Sequence, residues 1–581
     1  MTIYTSPLPR LTVPKRSVFT HLFGREDPFD PSSTALIDGL TSEVITRGQL
    51  RAQILTFTWG IRHELVNLGG RNLRRGETAL VFSPNFLLFP VISLGLNAAG
   101  VIGAFANTAY TPPELAHQLV NSCASHVFVH PSLLPVVVAT YDLLKVPLDE
   151  ARKRTIVMSW KNEDVFKGWT SFGDIMTLAK GKQSAPEDFN GERANETAFL
   201  FYSSGTTGLS KGVECTHNGV NTVLEMCRAG FRHFFPERDV LLAVLPFFHV
   251  FGGVVISFAP LSIGVPLVIL PRFQPQTFLS TIQTFRITGM YLAPPVLLFM
   301  NKHPMVSKYD LSSLRNILLG AAPVSTELIL QTREKLRAMG AKHLEITQAF
   351  GLTETTATTH ILPPERSVEK VGSIGILLPN QEARLVGEDG TDAAEGERGE
   401  LWIRGDNIMK GYLYNPEATA NSITPDGWFK TGDIATRDNE GFYKIVDRKK
   451  ELIKYKGWQV PPAELEALLV SHPEIADSGV IGVHSEVEAT EVPRAYVVPR
   501  DTSLLGSFNS AKAKAWASSI DKWVQTKVAQ HKFLRGGVIV RDSIPRSQAG
   551  KILRKELRSI ANAEDAKRKR KPVNRTDAAR L

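Results

Sequence analysis

Only three cysteines, Cys123, Cys215 and Cys227, occur in 581 residues, at spacings that suit neither a disulfide framework nor a cysteine-rich zinc site. Such usage fits a reducing compartment. The amino terminus has prolines and basic residues but no long apolar core, so it does not read as a secretory signal. Two stretches lack charge almost entirely: residues 80–115, interrupted by Glu114, and residues 240–271. Each is long enough to span a bilayer. However, Pro84, Pro90, Pro246, Pro260 and Pro266 divide them, which predicts short buried strands and helices of an α/β core and no membrane span. The folded body also lacks an excess of one charge. The formal net charge is +9, and residues 567–581 supply +6 of it with seven Lys/Arg against one Asp. A basic excess confined to a tail argues against a nucleic-acid-binding face and reads as a solvated extension.

With 43% hydrophobic and 22% charged residues, a chain of this length has the material for at least two domains. No internal repeat or heptad run is present. Short apolar runs alternate with helical stretches, the pattern of α/β domains with a mixed or parallel sheet. Strands are predicted at 78–82, 126–129, 198–202, 241–245, 266–270, 289–292 and 316–319, and helices at 49–67, 112–122 and 325–337. Beyond about residue 370, polar Gly-rich turns separate short strands, as in a small β-rich layer. A compact α+β segment follows, with helices at 463–470 and 511–530 and strands at 476–483 and 494–498. The expected organisation is a large multi-layered α/β domain at 1–446, a smaller mobile α+β domain at 447–565 and a basic tail at 566–581.

The strongest local signal follows the strand-like run 197–202: Ser203, Ser204, Gly205, Thr206, Thr207, Gly208, Leu209, Ser210, Lys211, Gly212. Glycines let backbone amides approach an anion, while hydroxyls and an ammonium donate to phosphate oxygens. A shorter run would read as an ordinary turn, but this density with a lysine near its end favours polyphosphate. It is not the P-loop of the common NTPases, because Lys211 follows Ser210 rather than Gly and precedes Gly212 rather than Ser or Thr. Kinase and GTPase readings lose support accordingly. The run closely resembles the signature of the adenylate-forming superfamily, which includes acyl-CoA synthetases, 4-coumarate–CoA ligases, beetle luciferases and peptide-synthetase adenylation domains. Ser210 stands where proline is usual.

Further elements of that pattern follow in order. Residues 245–252, with His249 and Phe251, resemble the segment bordering the acyl pocket; alone, His249 would read as an ordinary buried histidine. Gly320 and Ala321 resemble the turn that packs on adenine and walls the acid pocket. The run Gln348, Ala349, Phe350, Gly351, Leu352, Thr353, Glu354 resembles the adenine and magnesium motif. The resemblance implies that Phe350 stacks on the base, Thr353 meets the α-phosphate and Glu354 holds Mg²⁺ through carboxylate oxygen. It gives Asp433 and Arg448 the ribose hydroxyls. Residues 451–460 resemble the segment that enters the site for thioester formation, with Lys454 and Gln459 as nucleotide contacts and Lys456, Gly457 and Trp458 on the coenzyme A side. Lys551, after Gly550, falls at the catalytic lysine.

The resemblance implies a ligase that uses ATP and Mg²⁺ to convert a carboxylic acid, aryl or of medium chain length, into its acyl-adenylate, then moves the acyl group to coenzyme A. Rotation about residues 447–450 would exchange Lys551 for the Lys454–Trp458 face. The rival readings are loading of a carrier protein, luciferase-like oxygen chemistry and an inactive nucleotide-binding scaffold. The terminal Ala579, Arg580 and Leu581 are similar to a peroxisomal address read by an import receptor, with the cytoplasm as the alternative location.

Overall fold

Thr78–Phe82 and His126–Val129 are buried along their whole length, and Ile102–Ala106 along all but its first residue. Strands covered on both faces read this way. In the computed structural model, which describes residues 2–160, 167–203, 210–230, 234–456, 458–485, 488, 490–504, 510–547 and 550–570 (566–570 by backbone alone), they pair in parallel at the centre of a seven-stranded sheet. Ser204, Gly205, Thr206, Thr207, Gly208 and Gly457 lie outside the described residues, as do Ala579, Arg580 and Leu581. Thr197–Ser203 extends the sheet in parallel, and Lys211–Thr216 closes that edge antiparallel.

A nine-stranded sheet runs parallel through Glu345–Phe350, Asn316–Leu319, Gly289–Leu292, Leu241–Ala243, Leu267–Ile269 and Thr34–Asp38. One core joins the two sheets: Phe105, Phe199 and Phe201 of the first and Leu241 and Leu267 of the second pack with helices Arg47–His63, Leu88–Ala98 and His217–Gly230. The first of these helices opens on a capping box between Thr46 and Gln49. It ends at His63 rather than 67, because Leu65–Leu68 tightens into a 3₁₀ turn closed by Gly69 at φ +81°. The two uncharged runs divide as expected, and no helix of the described residues is long and apolar enough to cross a membrane. Pro90 and Pro260 nonetheless sit inside short helices; Pro90 falls in a first turn, where no backbone donor is missed.

Five antiparallel strands form the β-rich layer, Tyr4–Thr5, Gln381–Val386, Gly399–Gly405, Phe429–Arg437 and Tyr443–Arg448. The expected division between 446 and 447 therefore falls inside the last strand. From there Asp447 reaches the smaller domain, accepting the Ala463 N–H at 3.0 Å at the start of helix Pro462–Ser471. That domain places Ile475–Ser485, Thr490–Pro499 and Val538–Val540 in one sheet packed with Pro462–Ser471 and Ala511–Gln525. The helix predicted to 530 stops at Gln525 because its apolar stripe, Ala513, Ala517, Ile520 and Val524, ends there. Arg554–Arg570 packs on the same sheet through Leu557 and Ala561.

Candidate active site

Strand pairing puts Ser203 opposite Lys211, and both line a cleft of about 1480 Å³. Ser203 Oγ is buried there without a hydrogen-bond partner among the described residues. The trailing end of the loop is fastened at Ser210, whose carbonyl lies 3.0 Å from His117 Nε2 and whose Oγ accepts the Tyr110 hydroxyl at 3.4 Å. Two polar contacts thus restrain a position that lacks the fixed φ of proline.

Lys211 Nζ sits 3.9 Å from the ring centroid of Tyr412, and the Tyr412 hydroxyl donates to Glu354 Oε1 at 2.9 Å. Thr353 and Glu354 ride on the 3₁₀ turn Thr353–Thr355. A Cβ at Gly351 would lie 1.5 Å from the Ala357 carbonyl oxygen, so this turn closes only around glycine. The exit residues Thr356 and Ala357 adopt φ +52° and +97°, a conformation held against its cost by the surrounding fold.

The apolar wall of the cleft includes His249, Phe251, Gly320, Ala321, Ala349, Phe350 and Gly351. Phe251 opens the π-helical turn Phe251–Ile256, a form frequent at functional sites. Its ring would lie 3.3 Å from a Cβ at Gly320 and meets Tyr291 edge-on at 6.0 Å. Burial holds the His249 imidazole down to about 4, and its Nε2 has no partner among the described residues. His249 is therefore neutral near pH 7.

Asp433 and Arg448 face each other across the last two strands of the β-rich layer, with Arg448 Nε 3.3 Å from Asp433 Oδ1. Burial pushes the Asp433 carboxyl up to about 6 against the pull of Arg448 and Lys551, while Oδ2 stays unpartnered among the described residues. Lys551 enters the cleft from the smaller domain. Its loop is held by the Arg546–Asp477 ion pair at 2.7 Å and by Arg546 Nη1 donating to the Gly550 carbonyl at 2.7 Å. Gly550, at φ +80°, packs so closely on Pro295 that a Cβ there would lie 2.8 Å from Pro295 Cδ, so the loop docks on the large domain. Burial, then the like charge of Arg448, pulls the Lys551 ammonium down to about 8.

Four predicted contacts are placed elsewhere. Gln348 Oε1 accepts the Gly372 N–H at 2.8 Å, and Gln459 donates to Glu388. Both amides are thereby turned to partners outside the cleft. Lys456 pairs with Glu488 at 2.6 Å, and Trp458, 59% exposed, stacks on His531 at 4.6 Å. Lys454, on the same hairpin, does line the cleft. Sequence reasoning missed Tyr110, His117 and Tyr412, because each comes to the site only through tertiary pairing.

Cations from both domains, the Glu354 carboxylate and an apolar end in a single cleft suit an enzyme that handles a polyphosphate beside an organic acid. The chain matches the model of the AMP-binding enzyme family over residues 30–413 and that of the AMP-binding enzyme C-terminal domain over residues 464–551. It belongs to this family and is an ATP-dependent, AMP-forming acid–CoA ligase. It is 34% identical to the probable 4-coumarate–CoA ligase 1 of Dictyostelium discoideum, over 96% of this chain and 98% of that one. Identity to the 4-coumarate–CoA ligase-like 4 of Oryza sativa subsp. japonica is 36%, over 91% and 90%. Among solved structures, ATP-bound MatB from Rhodopseudomonas palustris superposes with a TM-score of 0.76 at 26% identity, over 94% and 98%.

Proposed function

We propose that the protein activates an aryl or medium-chain carboxylic acid as its acyl-adenylate and passes the acyl group to coenzyme A. One observation carries this reading: the Lys551 loop, Lys211, Glu354 and the His249–Phe251 wall open onto the same cleft. Relatives named 4-coumarate–CoA ligases support an aryl acid.

The residues present fit Mg²⁺ arriving with ATP. Glu354 gives Oε1 to Tyr412, and no hydrogen bond or ion pair reaches Oε2 among the described residues. A single carboxylate oxygen is the kind of protein ligand that suits an ion keeping its water and phosphate ligands. Bound there, Mg²⁺ neutralises phosphate charge. A carboxylate oxygen of the acid attacks the α-phosphorus, the bond to the β-phosphate breaks and pyrophosphate leaves. Ser203 and Lys211 face the departing phosphates, Thr353 the α-phosphate, and Asp433 with Arg448 the ribose. Lys551 bridges the acid and the α-phosphate, so catalysis rests on placement and charge. The coenzyme A thiolate then attacks the acyl carbon and AMP leaves. For this step the hairpin carrying Lys454, Lys456 and Trp458 replaces the Lys551 loop.

The titrations of Asp433 and Lys551 set a pH window. The carboxylate forms as pH rises through about 6, and the ammonium is lost as pH rises through about 8. The kcat/KM for ATP in the adenylation step is expected to rise through the first value and fall beyond the second. A profile flat across both would count against these roles.

The function itself is tested by incubating the protein with ATP, Mg²⁺, coenzyme A and a panel of cinnamic, arylacetic and medium-chain fatty acids. AMP, pyrophosphate and one favoured acyl-CoA are expected by mass spectrometry. Acyl-adenylate without thioester would point to a carrier-protein acceptor, and no acid-dependent ATP cleavage would point to a scaffold.

A further inference from the structure

We infer that Tyr412 is a positioning residue that holds the phosphate-loop lysine and the cation-side carboxylate at one fixed spacing, an inference that rests on the ligase reading above. Lys211 and Glu354 are 143 positions apart in sequence and stand on separate elements, a strand and a 3₁₀ turn, yet a productive ATP complex needs both at once. Tyr412 touches both: its ring lies under the Lys211 ammonium and its hydroxyl bonds Glu354 Oε1.

The chain around Tyr412 is stitched to each partner's backbone. On one side Lys410 N–H reaches the Glu214 carbonyl at 2.9 Å, Glu214 N–H the Gly411 carbonyl at 3.0 Å and Leu413 N–H the Gly212 carbonyl at 2.8 Å. These bonds, with a bridge between Val213 and Tyr412, lay the segment along strand Lys211–Thr216 as an added strand. On the other side Met409 N–H reaches the Glu354 carbonyl at 2.9 Å, and Asn407 Nδ2 the Thr355 carbonyl at 3.1 Å. Tyr412 itself is anchored by its N–H on Thr419 Oγ1 at 2.9 Å. It is buried, so its ring has no freedom to leave the space between the two groups.

The choice of side chain suits both tasks. A π face attracts an ammonium without neutralising it, leaving Lys211 its full charge for phosphate. A single hydroxyl donor occupies one carboxylate oxygen of Glu354, fixes the rotation of the group and leaves the second oxygen for a cation. Burial and the Glu354 carboxylate raise the phenol pKa, which keeps the proton on the donor. Phenylalanine retains the first interaction and loses the second; leucine loses both.

The test compares Tyr412→Phe and Tyr412→Leu with the full-length wild-type protein in ATP without any acid, so that nothing turns over. Free Mn²⁺ is followed by electron paramagnetic resonance, ATP binding in EDTA by calorimetry, and folding by thermal melting. Tyr412→Phe is expected to weaken Mn²⁺ binding about tenfold, the effect of one hydrogen bond to a charged group, with melting and metal-free ATP binding unchanged. Tyr412→Leu is expected to lose metal-free ATP affinity as well, by several-fold. Unaltered Mn²⁺ binding in Tyr412→Phe would overturn the inference and leave the ligase reading standing. Parallel loss of melting temperature, ATP and Mn²⁺ binding in both variants would also overturn it, reducing Tyr412 to packing. A wild-type protein that binds neither ATP nor Mn²⁺ would overturn the ligase reading and this inference together.

Discussion

Lys551→Ala is expected to lower acid-dependent ATP–pyrophosphate exchange by about 10²–10³-fold or more, the usual effect of removing one group aimed at developing charge, while sparing thioester formation from supplied acyl-adenylate. The asymmetry follows from the placement of Lys551. Its loop is docked against Pro295 by a glycine that tolerates no side chain, and it meets the Asp433–Arg448 pair from the smaller domain. That arrangement leaves Trp458 outside on His531 and Lys456 outside on Glu488. In the proposed mechanism thioester formation brings the hairpin inside and takes the lysine out, so alanine at 551 should take nothing from the second step. Equal loss in both half-reactions would contradict this division.

The largest expected stability effect lies three residues further on. Arg554, itself buried, donates to Glu451 at 2.8 Å, to Glu466 at 2.6 Å and to the Val480 carbonyl at 3.3 Å, with both carboxylates nearly out of solvent. Replacing it with methionine leaves two nearly buried carboxylates without their cation, which costs about 3–5 kcal/mol. Burial already pushes the Glu466 pKa above its ordinary value, with Arg554 the largest opposing influence. A carboxyl whose folded pKa exceeds its unfolded one binds more protons when folded, so stability falls as pH rises between the two values. Removing Arg554 lifts the folded value and widens that window upward. The deficit of Arg554→Met, read from melting temperature, should therefore grow as pH rises above about 7, where Glu466 ionises in the wild type, and Glu466→Gln in the same chain should recover much of it. A pH-independent deficit would assign Arg554 to packing alone.

The strands at 78–82 and 316–319 were legible because each is a short apolar run bounded by turn signals, and Glu354, Arg448 and Lys551, singled out by distinctive local runs, line one cleft. The strand Ile102–Ala106 was not legible, since glycine and alanine carry little β signal. It is set in the sheet by its neighbours, Gly103 packing under Phe199 and Phe105. Gln348, expected beside adenine, has its amide oxygen on the Gly372 N–H, a pairing that no local run in the sequence announces. Tyr412 left no trace in the sequence, for the strand that positions it forms only when two distant segments have already met.

The joint between the domains is threaded alternately. Asp447 caps a helix of the smaller domain, Arg448 and Lys449 bond the larger one through Asp433 and the Gly432 carbonyl, and Glu451 pairs back with Arg554. Neighbouring links are sewn to opposite bodies, so the connection has no slack to take up. The proposed turn of the smaller domain would therefore have to break several of these bonds together, which makes the joint a latch rather than a tether.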